Sequence, residues 1–185
     1  MTFIEAWAIA DRIPGWFVQG EGALLYRLAS SVPTDRCLVE VGCYRGRSAA
    51  LLAATGRRTY LVDPLKLGET IDGRPINAAD IGDLTRFVAA RDNVIFWNTT
   101  TDSCPDPVEQ IGLLHIDGCH EGPWPLTDFN RFKHLLTPGA YVLFHDVDDA
   151  PAVRKTVDAL CATKVLRPFG RAAALAAFIV EDRNA

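Results

Sequence analysis

Along this chain, apolar runs of four to seven residues alternate with longer segments whose apolar positions recur at helical spacing. The short runs predict strands at Cys37 to Val41, Thr59 to Val62, Val94 to Trp97, Leu113 to Ile116 and Tyr141 to Phe144, each bounded by Gly, Pro, Asp or Asn. Helices fill the gaps, so the pattern predicts an α/β fold on a mainly parallel sheet. Before the first strand, helical pieces break at Pro14-Gly15, and the second carries Leu24, Leu25 and Leu28 on one face before ending at Pro33. After Asp149 a helix over Ala152 to Cys161 leads to Val165 to Pro168 and, beyond Arg171, to Leu175 to Val180. No helix fits between these last two segments, so they should pair as an antiparallel hairpin. A dinucleotide-binding fold would instead close on a parallel strand.

Length and composition narrow the picture. With 185 residues, 49% of them hydrophobic, the expectation is one domain over 1–185, with an N-terminal helical cap over 1–32 and an α/β core over 33–185. No apolar run approaches the roughly 20 residues of a membrane span, and the first residues lack the basic start of a signal peptide, so a cytoplasmic protein without membrane contact is expected. A net charge of −4 argues against broad contact with nucleic-acid phosphates. Cys37, Cys43, Cys104, Cys119 and Cys161 are odd in number and form no Cys-x-x-Cys pair, which favours reduced thiols over a disulfide framework or zinc cage. A small molecule is the expected partner.

The chemistry concentrates first at Glu40-Val41-Gly42-Cys43-Tyr44-Arg45-Gly46-Arg47-Ser48, between a strand and a helix, where glycine admits a ligand to the backbone and the helix start offers free N–H groups. A dinucleotide fingerprint needs a second glycine where Tyr44 stands. A Walker A loop needs four residues between its glycines, followed by Lys; here there are three, followed by Arg47 and Ser48. That near miss keeps a nucleotide hydrolase as a minor reading, because Leu113 to Asp117 resembles a Walker B strand. What remains suits a ligand with an amino-acid end and an adenosine but no phosphate. Asp63, ending the second strand 21 residues after Gly42, can accept both ribose hydroxyls, although Glu40 could equally cap local N–H groups and Asp63-Pro64 could be a turn.

Asp117 and His120 follow the fourth strand, and His145 and Asp146 the fifth, so all four project from the carboxyl edge of the sheet where open α/β folds bind ligands. The bland alternative is turn acids and hydrogen-bonded loop histidines. Trp16, Phe17, Trp124 and Phe129 either line an acceptor pocket or pack. Arg45 and Arg47 either face solvent or hold an acidic acceptor.

Three stretches together resemble the class I S-adenosylmethionine-dependent methyltransferases of methyltransferase family 24, relatives of macrocin-type sugar O-methyltransferases. They are Pro14-Gly15-Trp16 with Glu21-Gly22 and Leu25-Tyr26; Leu38 through Ser48; and His115-Ile116-Asp117-Gly118-Cys119-His120, continuing through Asp128 and Pro138-Gly139 to Phe144-His145-Asp146-Val147. The resemblance implies a Rossmann-like sandwich with a seven-stranded, mostly parallel sheet ordered 3-2-1-4-5-7-6 and a C-terminal antiparallel hairpin. It places the methyl donor against Glu40, Gly42, Tyr44, Gly46, Ser48 and Asp63, with Asp117 at the methionine end. The segment Asn98 to Ser103 falls near the adenine, where it departs from the commonest Gly-Asp-Ser pattern.

Such enzymes align an acceptor oxygen, a methyl carbon and a sulfonium in line, and alignment can supply about 7–11 kcal/mol of the barrier reduction. His120 is the first candidate for the general base, worth about 10²–10⁴-fold, and His145 the second. Some relatives hold magnesium with acidic residues after the fourth and fifth strands, a position matched by Asp117 and Asp146 with His145 beside them. The expected acceptor is a small hydroxylated metabolite, a sugar or secondary-metabolite scaffold. The competing reading is a donor-binding protein that no longer catalyses. With little chain before the sheet to form a lid, a second copy in a homo-oligomer is an expected source of one.

Overall fold

The structure, a computed structural model, describes residues 1–71 and 74–181; the last four residues of the expected domain lie outside them. The seven-stranded sheet includes β1 (Cys37–Val41), buried along its whole length because helices cover both faces of the sheet. On one side of β1 lie β2 (Thr59–Val62) and then β5 (Val94–Trp97). On the other lie β6 (Ile111–Ile116), β7 (Leu136–Phe144), β9 (Leu175–Val180) and β8 (Leu166–Ala172) at the edge. The first five of these strands run parallel, and β9 is antiparallel to both β7 and β8. Apart from a short separate ribbon, β3 (Thr70–Ile71) with β4 (Arg74–Pro75), the order matches 3-2-1-4-5-7-6.

Period-two alternation sorts the central strand between two cores. Cys37, Val39 and Val41 pack with Phe129, Phe132 and Phe144 on the side of α5 (Trp124–Phe132) and α6 (Pro151–Ala162). Leu38 packs with Leu25, Leu28, Leu51 and Leu52 under α1 (Phe3–Ala10), α2 (Gln19–Ser31) and α3 (Arg47–Ala53). The remaining long helix, α4 (Ala78–Ala89), starts from Asn77, whose side chain accepts the N–H groups of Ala79 and Asp80. None of the helices among the described residues is long and apolar enough to cross a membrane.

The first three predicted strands match the observed bounds, but β6 begins earlier, at Ile111, β7 at Leu136, and β8 runs on to Ala172. Pro138-Gly139 lies inside β7, ahead of Tyr141 where β9 begins to pair, so the proline takes no bond from that neighbour. The β3–β4 ribbon was outside the predicted elements, since two residues per strand give no periodicity to read. What matters for the site is the reversal between β1 and β6: successive connections run outward in opposite directions from this pair, opening a crevice at their carboxyl ends.

Candidate active site

The turns that leave β1 and β6 touch. Gly42 has φ +80°, and a Cβ there would fall 2.1 Å from the Asp117 carbonyl oxygen and 2.6 Å from the Gly118 Cα, so only glycine lets the two loops meet. Asp63, at the end of β2, braces the same turn: its Oδ2 accepts the N–H groups of Cys43 at 2.9 Å and Tyr44 at 2.8 Å. Burial pushes this carboxyl up to about 6, against the opposing pull of those two bonds. Only Oδ2 is taken up by the loop.

A cleft of about 530 Å³ opens over these turns, a size typical of small-ligand sites. Gly42, Tyr44, Ser48 and Asp63 line one part, and Asp117, His120, His145 and Asp146 another. The outer wall comes from the chain's own Pro14–Phe17. Arg47, the first residue of α3, secures that wall: Nε donates to the Phe17 carbonyl at 2.8 Å, a terminal nitrogen to the Ile13 carbonyl at 2.9 Å, and the other pairs with Asp11 at 2.8 Å. Its guanidinium also lies 5.2 Å from the Trp7 ring centroid. Arg45 is matched as well, by Asp80 at 3.2 Å and by Asp83. Both arginines line the cleft, and each is paired with carboxylates of the chain itself.

At the other end, acids and imidazoles alternate. His145 Nδ1 lies 3.3 Å from Asp117 Oδ1 and 3.2 Å from Asp146 Oδ1. Its Nε2 lies 3.3 Å from Glu21 Oε1, at ion-pair distance though not aligned as a linear hydrogen bond. Burial would lower this imidazole, but the contacts with Asp117 and Glu21 outweigh it and push it up to about 11. His120 bridges the same two acids, with Nε2 3.4 Å from Asp117 Oδ1 and Nδ1 3.4 Å from Asp146 Oδ2. Its pairing with Asp117 raises its pKa above the ordinary histidine value. Burial alone would raise Asp117, yet His120 and His145 hold it well below the usual carboxylate range.

One oxygen or nitrogen each from Asp117, His120 and Asp146 lies within 4.8 Å of the others, so the groups gathered as candidate cation ligands include His120 rather than His145. The set fits magnesium poorly: an imidazole replaces an oxygen ligand, and the nearest carboxylate oxygens already face His145.

Several expected residues stand elsewhere. Glu40 is fully buried in β1, where Oε1 meets His115 Nδ1 at 2.8 Å, and it does not line the cleft. Gly46 precedes α3 as its cap and lies behind the cleft wall, against Leu84. Ser103 is exposed in a 3-10 turn (Thr101–Ser103) held by the Thr101 hydroxyl on Asp128 at 2.6 Å, away from the cleft. Of the four aromatics, Trp16 and Phe17 line the cleft; Phe129 is core, and Trp124 is exposed at the start of α5. Glu21, which sequence reasoning gave no role, carried one signal: an acid in the first turn of a predicted helix. His115 carried another, as a polar residue inside an apolar strand.

Residues 39–147 match the sequence profile of methyltransferase family 24, described as a methyltransferase domain. The chain belongs to this methyltransferase family. A protein of Acanthamoeba polyphaga mimivirus is 26% identical in an alignment of 139 residues that covers 66% of this chain; the chain spans 60% of that protein's length. Among solved structures, the fold resembles the O-methyltransferase TomG from Streptomyces achromogenes, involved in tomaymycin synthesis and solved with S-adenosylmethionine. The two are 16% identical at a TM-score of 0.66, covering 96% of this chain and 90% of TomG. The N-methyltransferase NodS from Bradyrhizobium japonicum, solved with S-adenosylhomocysteine, is 18% identical at a TM-score of 0.63, with 97% of each chain covered. Family membership replaces the nucleotide-hydrolase reading of the Gly42–Gly46 loop.

Proposed function

We propose that this chain transfers a methyl group from S-adenosylmethionine to a hydroxyl oxygen of a small hydroxylated metabolite, of the sugar or secondary-metabolite class. The observation that carries the reading is the cleft that joins the Gly42–Ser48 turn and Asp63 to His120 and its two carboxylates. The donor supplies an electrophilic methyl on a sulfonium. Asp63 braces the turn through Oδ2 and offers its second oxygen to the ribose hydroxyls; Gly42 and Ser48 form the floor, and Asp117 faces the methionine end.

The acceptor hydroxyl must lose its proton, and two imidazoles stand beside the place where that happens. His145 is paired with carboxylates at both nitrogens and is pushed up to about 11, so near neutrality it is a fixed cation rather than a base. His120 also has a carboxylate near each nitrogen, both at 3.4 Å, but unlike His145 it is partly open to the cleft, so one nitrogen can stand unprotonated there and take the proton, with Asp117 and Asp146 orienting its ring and stabilising the imidazolium that forms. Trp16 and Phe17 supply the apolar wall that excludes water from the acceptor. The donor set suits magnesium poorly, and proton removal falls to His120.

The test begins with calorimetric titration by S-adenosylmethionine and S-adenosylhomocysteine, with ATP and NAD as controls. Micromolar affinity for the adenosyl ligands alone supports the donor site; binding only to ATP or NAD, or to none, overturns the proposal. H120Q should then lower S-adenosylhomocysteine release with hydroxylated acceptors by about 10²–10⁴-fold while keeping donor affinity. A chain that binds donor but turns over none of a broad acceptor panel would be a binding protein instead.

A further inference from the structure

Glu21 is a buried carboxylate that this chemistry leaves unused. Standing in the first turn of α2, it accepts the Val18 N–H on Oε2 at 2.8 Å and the Ala174 N–H on Oε1 at 3.0 Å. These bonds cap the helix and join it to the turn between β8 and β9, which is a sufficient structural role. They do not explain the third neighbour, His145, whose Nε2 lies 3.3 Å from Oε1.

From that contact, acids and imidazoles alternate toward the cleft. Glu21 faces His145; His145 faces Asp117 and Asp146; both of those face His120. The Phe17 ring packs against His145, with centroids 5.4 Å apart and the planes tilted by 30°. A neutral imidazole has one donor nitrogen and one acceptor, so a ring buried away from solvent with carboxylates at both nitrogens, as His145 is, is satisfied only when it donates from both.

We propose that Glu21 is a positioning residue of the acceptor site: it anchors His145, which fixes the two carboxylates that orient His120 in the cleft. The catalytic consequence rests on the methyl-transfer reading, whereas the geometry does not. Were Glu21 absent, His145 would need only one donor nitrogen, its ring could turn, and Asp117 and Asp146 would lose their shared partner. Gln at this position keeps the size but only one acceptor oxygen: with that oxygen on the Val18 N–H that caps the helix, its amide N–H donors face the Ala174 N–H and His145, where acceptors are required.

The experiment is imidazole nitrogen NMR on the full-length protein, wild type and E21Q, with the signals of positions 120 and 145 assigned from H120Q and H145Q. In the wild type at pH 7, both nitrogens of His145 should carry protons. In E21Q one of them should lose its proton, and the His120 signals should shift with it, while S-adenosylhomocysteine affinity by calorimetry stays within about threefold of wild type. A Glu21 that only caps the helix would leave the signals of both histidines unchanged in E21Q, and that result overturns the proposal. Should E21Q fail to fold, the wild-type spectrum decides alone: an unprotonated Nε2 on His145 overturns it, and protons on both nitrogens support it. Absent donor binding by the wild type would count against the methyl-transfer reading, and the His145 signals would still judge Glu21.

Discussion

Replacing Gly42 by alanine tests whether the contact between the turns after β1 and β6 is as close as described. Two effects add at this position. A side chain at φ +80° costs about 1–2 kcal/mol in left-handed backbone. The new Cβ would also fall 2.1 Å from a carbonyl oxygen and 2.4 Å from its carbon, atoms of the main chain that cannot swing aside. Forced overpacking of this kind costs about 1–3 kcal/mol, and contact with backbone puts it at the upper end. Gly56 provides the control: its φ is +76°, and a Cβ there meets nothing within 4 Å. G56A therefore carries only the conformational cost, and the difference between the variants isolates the contact, about 3 kcal/mol or about 6–12 °C of melting temperature at this chain length. Thermal unfolding of wild type, G42A and G56A reads the difference directly. S-adenosylhomocysteine titration of G42A should show weakened binding as the turns separate. Equal melting temperatures for the two variants would refute the reasoning.

Asp63 offers a trade between stability and binding. Its folded pKa of about 6 lies above the ordinary 3.8, so its contribution to stability is greatest below about 3.8 and is lost as the pH rises to about 6. D63N keeps an acceptor oxygen for Cys43 and Tyr44, so it should melt at or above wild type at pH 8 while losing about tenfold to hundredfold in S-adenosylhomocysteine affinity; a lower melting temperature with intact binding would contradict this. His145 has the opposite chemistry with the same sign, since its folded value of about 11 lies above the ordinary 6.5: the stability it adds is complete below about 6.5 and disappears as the pH rises toward about 11. Urea unfolding of wild type should weaken more steeply than that of H145Q across the alkaline range, and parallel curves would count against the ion pairs. R47M removes the contacts that hold residues 11–17, so proteolytic cleavage there should accelerate and the melting temperature fall by about 4–8 °C, for a loss of about 2 kcal/mol; unchanged cleavage would show that the segment is held by other means.

Much of the framework was legible because local and global signals agree. Strand β1 reads as five residues between polar flanks, and it is buried throughout; the tight spacing of Val165 to Val180 left no option but a hairpin. The clustering of Asp117, His120, His145 and Asp146 also followed from topology, since parallel strands deliver their carboxyl ends to one edge. What escaped were properties set by pairing across the chain. Arg47 lies beside the donor turn in sequence, and nothing local says that its donors are spent on carbonyls 30 and 34 residues away. Glu40 sits where a ligand contact is expected, yet its partner, His115, lies 75 residues on in a neighbouring strand. Trp124 and Phe129 share one helix with apolar spacing, and only the packed sheet decides which of them is core.

The bond from Glu21 to the Ala174 N–H gives the N-terminal segment a second attachment, at the far end of the chain. Any natural or engineered exchange of residues 11–21 must therefore carry a compatible β8–β9 turn with it. The two distant segments act as plug and socket, and a graft of the first alone would arrive without its socket.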